Sequence, residues 1–260
     1  MRAIDVHGHF GPYDRGIGTR VDAFMSANAE QVAQRGLDSG IEVTVVSAIH
    51  GLIPYRGNAV LGNRDAVLAV ETNSALRFWT IIDPRVPASY AQSEELLGHP
   101  CCTGIKIHPH AHAYEIREHG PALFSFAAER NAVVLTHSGD VGSYPEDFVP
   151  FVDQYSNVQL ILAHLGNSDD GSISRQVEAI ARARNGNLWV DTSSARSMFS
   201  GLIEWAVEQI GHGRILFGTD TPLYWAGAQK GRIESAQLEV AAKEAILWSN
   251  AAGLLGIEVR

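Results

Sequence analysis

Cysteine is nearly missing from this 260-residue chain: there are two, adjacent, at Cys101 and Cys102. Neighbouring thiols make a poor disulfide framework and match no recognised metal-ligand spacing, so a reducing, cytoplasmic setting is expected. No run approaches about eighteen uninterrupted apolar residues, which excludes an ordinary helical membrane span. The first residues carry no basic stretch followed by an apolar one, so no signal peptide is expected. Basic residues are outnumbered, 20 Lys and Arg against 29 Asp and Glu, for a formal net charge of -9. That balance argues against nucleic acid or an anionic membrane as the main partner and leaves small molecules. The sequence also lacks a glycine-rich dinucleotide loop after an early strand, a phosphate-binding P-loop, and a Gly-x-Ser-x-Gly elbow around Ser138. Dinucleotide-dependent chemistry, nucleotide hydrolysis and serine hydrolysis lose their usual equipment with them.

What is present is a composition of 45% hydrophobic and 19% charged residues, ordinary for a globular chain with a sizeable core. Period-two or continuously apolar runs predict strands over 4–9, 42–49, 78–83, 103–108, 132–137, 158–164, 188–192 and 214–220. Between them, helical spacing predicts helices over 21–37, 58–76, 88–97, 121–130, 173–184, 202–210 and 234–248, the last continued by an apolar tail to 255, with a further segment over 146–155. Strand and helix alternate without a linker or repeat signature, which predicts one (β/α)8 barrel occupying 1–260 as a single domain. A doubly wound open sheet is the competing α/β arrangement.

The polar residues fall where the predicted strands end. His7 and His9 share one face of the first strand with Asp5, and Gly8 leaves room between the imidazoles. His50 follows the second strand, Lys106 and His108 end the fourth, His137 the fifth, His164 the sixth and Asp220 the eighth. Each residue alone has a bland explanation, such as a solvated strand end or a histidine bonded to a carbonyl. Together they do not, because apolar strands that repeatedly finish in ionisable side chains place costly groups near a core. In a barrel these ends meet at one face, where active sites form. Position after strand two makes His50 and Arg56 candidates for contact with substrate, and His108 shares the cavity-facing side of strand four. Asp5, Ser138, Asn167, Asp191 and Ser193 are placed to orient ligands, and Tyr224 and Trp225 to wall a pocket.

The segments Asp5-Val6-His7-Gly8-His9, Gly104-Ile105-Lys106-Ile107-His108-Pro109, Thr136-His137-Ser138-Gly139, Ala163-His164-Leu165-Gly166 and Gly218-Thr219-Asp220-Thr221-Pro222 together resemble the amidohydrolase superfamily of metal-dependent barrel hydrolases. The resemblance is greatest to its amidohydrolase-related branch, which includes aminocarboxymuconate semialdehyde decarboxylase-like enzymes. It implies one divalent ion, zinc by preference, held by His7, His9, His137 and Asp220, with His164 and Asp220 in catalytic proton transfer. Such a ligand set can leave a position for water and acidify it. In two-metal members the strand-four lysine is carboxylated and bridges both ions. The closer branch generally uses one, and there Lys106 would be a cation for a substrate carboxylate or phosphate. Three functions follow: hydrolysis of a small amide, ester or lactone, which is favoured; non-oxidative decarboxylation of a small aromatic or unsaturated acid; or a silent barrel that binds zinc or a carboxylate. A homodimer is left open.

Overall fold

Strand β1 (Ala3–Phe10) is buried at all eight positions, and β2 (Ile41–Ala48) is buried at all but one. Runs of this kind, apolar on both faces, suit strands covered by helices outside and by other side chains inside. Six more follow: β3 (Leu76–Ile81), β4 (Cys102–Ile107), β5 (Val133–Thr136), β6 (Gln159–Leu162), β7 (Leu188–Asp191) and β8 (Ile215–Leu216). In the computed structural model, which describes residues 1–14, 16, 18–53, 57–194 and 196–258, these form one parallel sheet ordered β1 to β8. The expected (β/α)8 barrel is therefore the fold. Closure runs through β1 and the segment after β8: Val6 N–H donates to Phe217 O at 2.9 Å, Asp220 N–H to His7 O at 2.7 Å, and His9 N–H to Thr221 O at 2.6 Å. The strand predicted over 214–220 pairs with β7 only over its first residues, and the remainder makes this seam.

The larger apolar cluster lies between strands and outer helices, joining Ile105, Val134, Leu160 and Val190 to Phe124, Phe148 and Ile203. A second joins Ile4, Val6, Val43, Val45, Trp79 and Leu216 to Trp248 and Ala251 of the C-terminal segment. Trp79 also donates its indole N–H to Val6 O at 2.9 Å, which fixes the floor on which His7 stands. No described helix is long and apolar enough to cross a membrane.

Several boundaries differ from expectation, each for a local reason. The helix predicted over 21–37 is two, Arg20–Phe24 and Ala29–Asp38, because Ala27 pairs with Gly11 and Asn28 caps the second by accepting from Gln31 N–H. The helix predicted to begin at 121 begins at Ile116, with Pro121 inside it. The closing helix predicted over 234–248 and on through the tail to 255 is instead broken into Ala226–Glu234, Val240–Glu244, a π-helical turn over Ala245–Ser249, and Asn250–Leu255. Gly8 also acts differently from expectation. A Cβ there would stand 2.6 Å from Thr44 Cγ2 and 3.3 Å from Thr221 Cγ2, so the space it leaves admits the neighbouring strands.

Candidate metal and catalytic centre

The C-terminal ends of the strands bring together eight ionisable side chains and one hydroxyl. His7 and His9 rise from β1, Lys106 from β4 and Asp191 from the last position of β7. His108, His137, His164, Ser193 and Asp220 lie in the first residues past their strands. His164 and Asp220 have φ of 71° and 59°, values uncommon outside glycine that aspartate and histidine tolerate better than most residues. Backbone held in this way aims both side chains inward.

His7, His9 and Asp220 place one ligand atom each within 4.8 Å of one another, as do His7, His164 and Asp191. In the first trio, Asp220 Oδ1 is 3.1 Å from His9 Nε2 and 3.6 Å from His7 Nε2. The far nitrogens are occupied: His9 Nδ1 lies 3.2 Å from Ser47 O, and His7 Nδ1 lies 2.8 Å from Asp191 Oδ2. A carbonyl oxygen and an ionised carboxylate only accept, so both Nδ1 atoms carry the hydrogen and both Nε2 atoms offer lone pairs towards Asp220. Burial, joined by the charge of Lys106, lowers the His7 pKa to about 4, which keeps that imidazole neutral. Burial raises the Asp220 carboxyl, but its contacts with the surrounding His9, His164 and His7 outweigh it and hold it far below the usual carboxylate range. Neutral imidazole and ionised carboxylate are the states a divalent cation needs, so the donor set fits one.

His137, expected beside these three, belongs to neither trio among the described residues. Its Nε2 is 2.5 Å from Asp140 Oδ2 and its Nδ1 is 3.1 Å from His164 Nε2, while the ring stacks on His108 at 4.1 Å between centroids. Burial lowers the pKa of His137 and lowers those of His108 and His164 further. Asp5 stands beneath the centre, accepting from His7 N–H, Thr219 N–H and the Thr219 hydroxyl.

Above these groups opens a cavity of about 440 Å³. Leu52, Ile53, Leu223, Tyr13 and Tyr224 supply much of its wall, with His108 and Asn167 deeper and Arg196 and Asp140 as its charged flank. Arg196 is 66% exposed and stands 3.9 Å from Asp140. Tyr13, Asp140 and Arg196 are additions to the residues the sequence singled out. Lys106, expected to meet substrate, lies at 1% exposure below the cavity with Nζ 2.9 Å from His7 Nε2, while His108 accepts from Ala111 N–H and caps the helix Pro109–His112. His50 is carried off the wall by the short helix Ile49–Leu52 and sits 3.4 Å from Asp65. Arg56 lies outside the described residues.

Lys106 carries a stability prediction. Burial lowers its pKa from 10.5 to about 8, with the charges of Asp191 and Asp220 opposing the shift. Between pH 8 and 10.5 the unfolded chain therefore holds a proton that the folded chain has released, and wild-type stability rises with pH across that window. In urea unfolding of the metal-free proteins, the stability difference between wild type and Lys106→Met is expected to move in favour of wild type by about 1–3 kcal/mol from pH 7 to pH 10.5. A difference independent of pH would show that the buried amine keeps its ordinary pKa and stays charged in the folded chain across this window.

A family model described as amidohydrolase matches residues 4–257. The chain belongs to the amidohydrolase family. Comparison with proteins of curated function finds no match. Among solved structures, this amidohydrolase is similar to 5-carboxyvanillate decarboxylase from Sphingomonas paucimobilis, at 14% identity, 99% of each chain covered and a TM-score of 0.76. It is also similar to 2,6-dihydroxybenzoate decarboxylase from Rhizobium, at 13% identity, coverage of 98% of this chain and 99% of that one, and a TM-score of 0.74. A third likeness is to a dihydroxybenzoic acid decarboxylase from Polaromonas with bound manganese and the inhibitor 2-nitroresorcinol, at 14% identity, coverage of 98% and 97%, and a TM-score of 0.72. At these identities the likeness is one of fold.

Proposed function

We propose that this amidohydrolase uses one divalent ion to hydrolyse a small carboxylated substrate, with an amide, ester or lactone as the bond cleaved. The observation that carries the reading is the pair of Nε2 lone pairs on His7 and His9, backed by Asp191 and the Ser47 carbonyl and facing ionised Asp220. These three would hold the ion, with His137 completing the set. His137 would offer Nδ1, since its Nε2 faces Asp140 Oδ2 at 2.5 Å. When bound, the ion supplies Lewis acidity, polarising a substrate carbonyl and lowering the pKa of water beside it. Zinc and manganese both suit this nitrogen and oxygen set.

The protein's own groups do the rest. His164, neutral through burial, takes the proton of the attacking water at Nε2 as the new carbon–oxygen bond forms, and returns it to the heteroatom that leaves. Arg196, the exposed cation of the cavity among the described residues, pairs with a substrate carboxylate, while Leu52, Ile53 and Leu223 bury the substrate's apolar part. A volume near 440 Å³ suits one ring with its substituents.

Decarboxylation is the second reading, favoured by the activities of the barrels this fold resembles, which act on carboxyvanillate and dihydroxybenzoate. The discriminating experiment loads the purified protein with zinc or manganese and offers small carboxylated lactones, esters and amides beside hydroxybenzoates. Ring or ester opening without carbon dioxide supports hydrolysis; carbon dioxide release from an acid replaces it with the second reading. Turnover by the fully metal-stripped protein would remove both. On the substrate that turns over, Arg196→Ala is expected to raise KM by about tenfold or more with kcat little changed, the mark of a group that binds ground and transition states alike.

A further inference from the structure

Asp191 Oδ1 accepts three hydrogens: the backbone N–H of His164 at 3.0 Å, the backbone N–H of Ser193 at 3.0 Å, and the hydroxyl of Ser193. A serine hydroxyl has one hydrogen, and this one is committed to the carboxylate. The Ser193 oxygen is left with lone pairs only, and two imidazole nitrogens approach it, His164 Nδ1 at 2.7 Å and His7 Nδ1 at 3.0 Å. All of these atoms are buried, so no solvent satisfies them in place of one another.

We propose that Ser193 is a positioning residue that fixes His164 as its Nδ1–H tautomer and so presents the Nε2 lone pair to the cavity. The hydroxyl relays the demand of Asp191: because it gives its hydrogen to the carboxylate, it requires a hydrogen from His164. His7 shares the same arrangement but does not depend on it, since Asp191 Oδ2 holds its Nδ1 at 2.8 Å. His164 has Ser193 as its Nδ1 partner, and its Nε2 faces His137 Nδ1 at 3.1 Å. His137 has its hydrogen on Nε2, toward Asp140 at 2.5 Å, so its Nδ1 accepts. Two acceptors therefore compete for the one hydrogen of neutral His164, the Ser193 oxygen at 2.7 Å and His137 Nδ1 at 3.1 Å, and the shorter contact takes it; without Ser193 the hydrogen moves to Nε2, is donated to His137, and leaves no lone pair toward substrate.

The proposal deepens the reading of His164 as the proton-accepting group, but its first test is independent of any activity. In the metal-free protein labelled with 15N-histidine, two-bond 15N–1H correlation spectra report which ring nitrogen carries hydrogen. Wild type is expected to show protonated Nδ1 on both His7 and His164. In Ser193→Ala, His164 alone is expected to change, to bare Nδ1 and protonated Nε2. In the metal-loaded enzyme the same substitution is expected to lower kcat by about 10-fold to 100-fold with KM within about twofold, and Ser193→Thr, which keeps the hydroxyl, to recover most of the loss. A wild-type His164 with bare Nδ1, or a Ser193→Ala protein whose His164 keeps Nδ1–H, overturns the proposal. The wild-type spectrum decides alone if the alanine variant does not fold. Expected spectra with no loss of turnover would leave Ser193 in its positioning role and remove His164 as the base.

Discussion

Asp220→Asn is expected to leave purification with far less than one divalent ion per chain, and to turn over roughly 10³-fold more slowly, a loss of about 4 kcal/mol of transition-state stabilisation. Among His7, His9 and Asp220 the carboxylate is the charged member, lying 3.1 Å and 3.6 Å from the two Nε2 atoms. A carboxamide has the same size and tolerates the φ of 59°, so the substitution removes charge without forcing the backbone. The Asp220 N–H to His7 O bond that closes the barrel also survives, and the melting temperature is expected to stay within a few degrees of wild type. Elemental analysis after dialysis, beside titration with zinc and manganese, reads the affinity. A drop well beyond the ~10–100-fold that follows loss of a residue that merely orients a ligand assigns Asp220 to the ion itself. Full metal content with turnover within tenfold of wild type would take Asp220 out of the centre.

The barrel and the candidate metal trio were legible because each leaves a signal of period two. An apolar run that stops in a polar residue marks both a strand and its C-terminal end; His7 and His9 stand on β1 where that pattern puts them, while His164 and Asp220 lie just past β6 and β8, at the same end of the barrel. Where the chain leaves the strand, alternation loses its meaning. Lys106 and His108 alternate in sequence, yet β4 ends at Ile107 and His108 turns to accept from Ala111 N–H, so one goes beneath His7 and the other lines the cavity. His50 was displaced in the same manner when β2 ended at Ala48 and a helical turn began. Arg196, Asp140 and Tyr13 sit in loops without period or motif, and only the path of the chain brings them to the wall. The tie between Ser193 and His164 links residues 29 apart across the barrel, a pairing that no local spacing encodes. The break in the first helix was hidden for a related reason: Ala27 continues the apolar rhythm of 21–37 but is drawn out by pairing with Gly11.

His164→Asn separates proton transfer from metal binding. Asparagine tolerates the φ of 71° at this position and keeps the backbone N–H that donates to Asp191, so the loop after β6 is expected to hold its course. It has no nitrogen able to take a proton, and kcat is expected to fall by about 10²–10⁴-fold, the range that a positioned base contributes. Metal content is expected to remain near wild type, because His7, His9 and Asp220 are untouched. The pH profile supplies a second arm. Burial drives the His164 pKa well below 6.5 against the opposing charge of Asp220, so the base is unprotonated at neutral pH. Wild-type kcat is therefore expected to stay level as pH falls through 6.5 and to decline only below it, whereas the residual rate of the variant loses that acidic limb. Loss of the ion together with turnover would point elsewhere: His164 would then be a ligand, and Lys106, 2.9 Å from His7 Nε2, would be the group to examine as its bridge to a second ion.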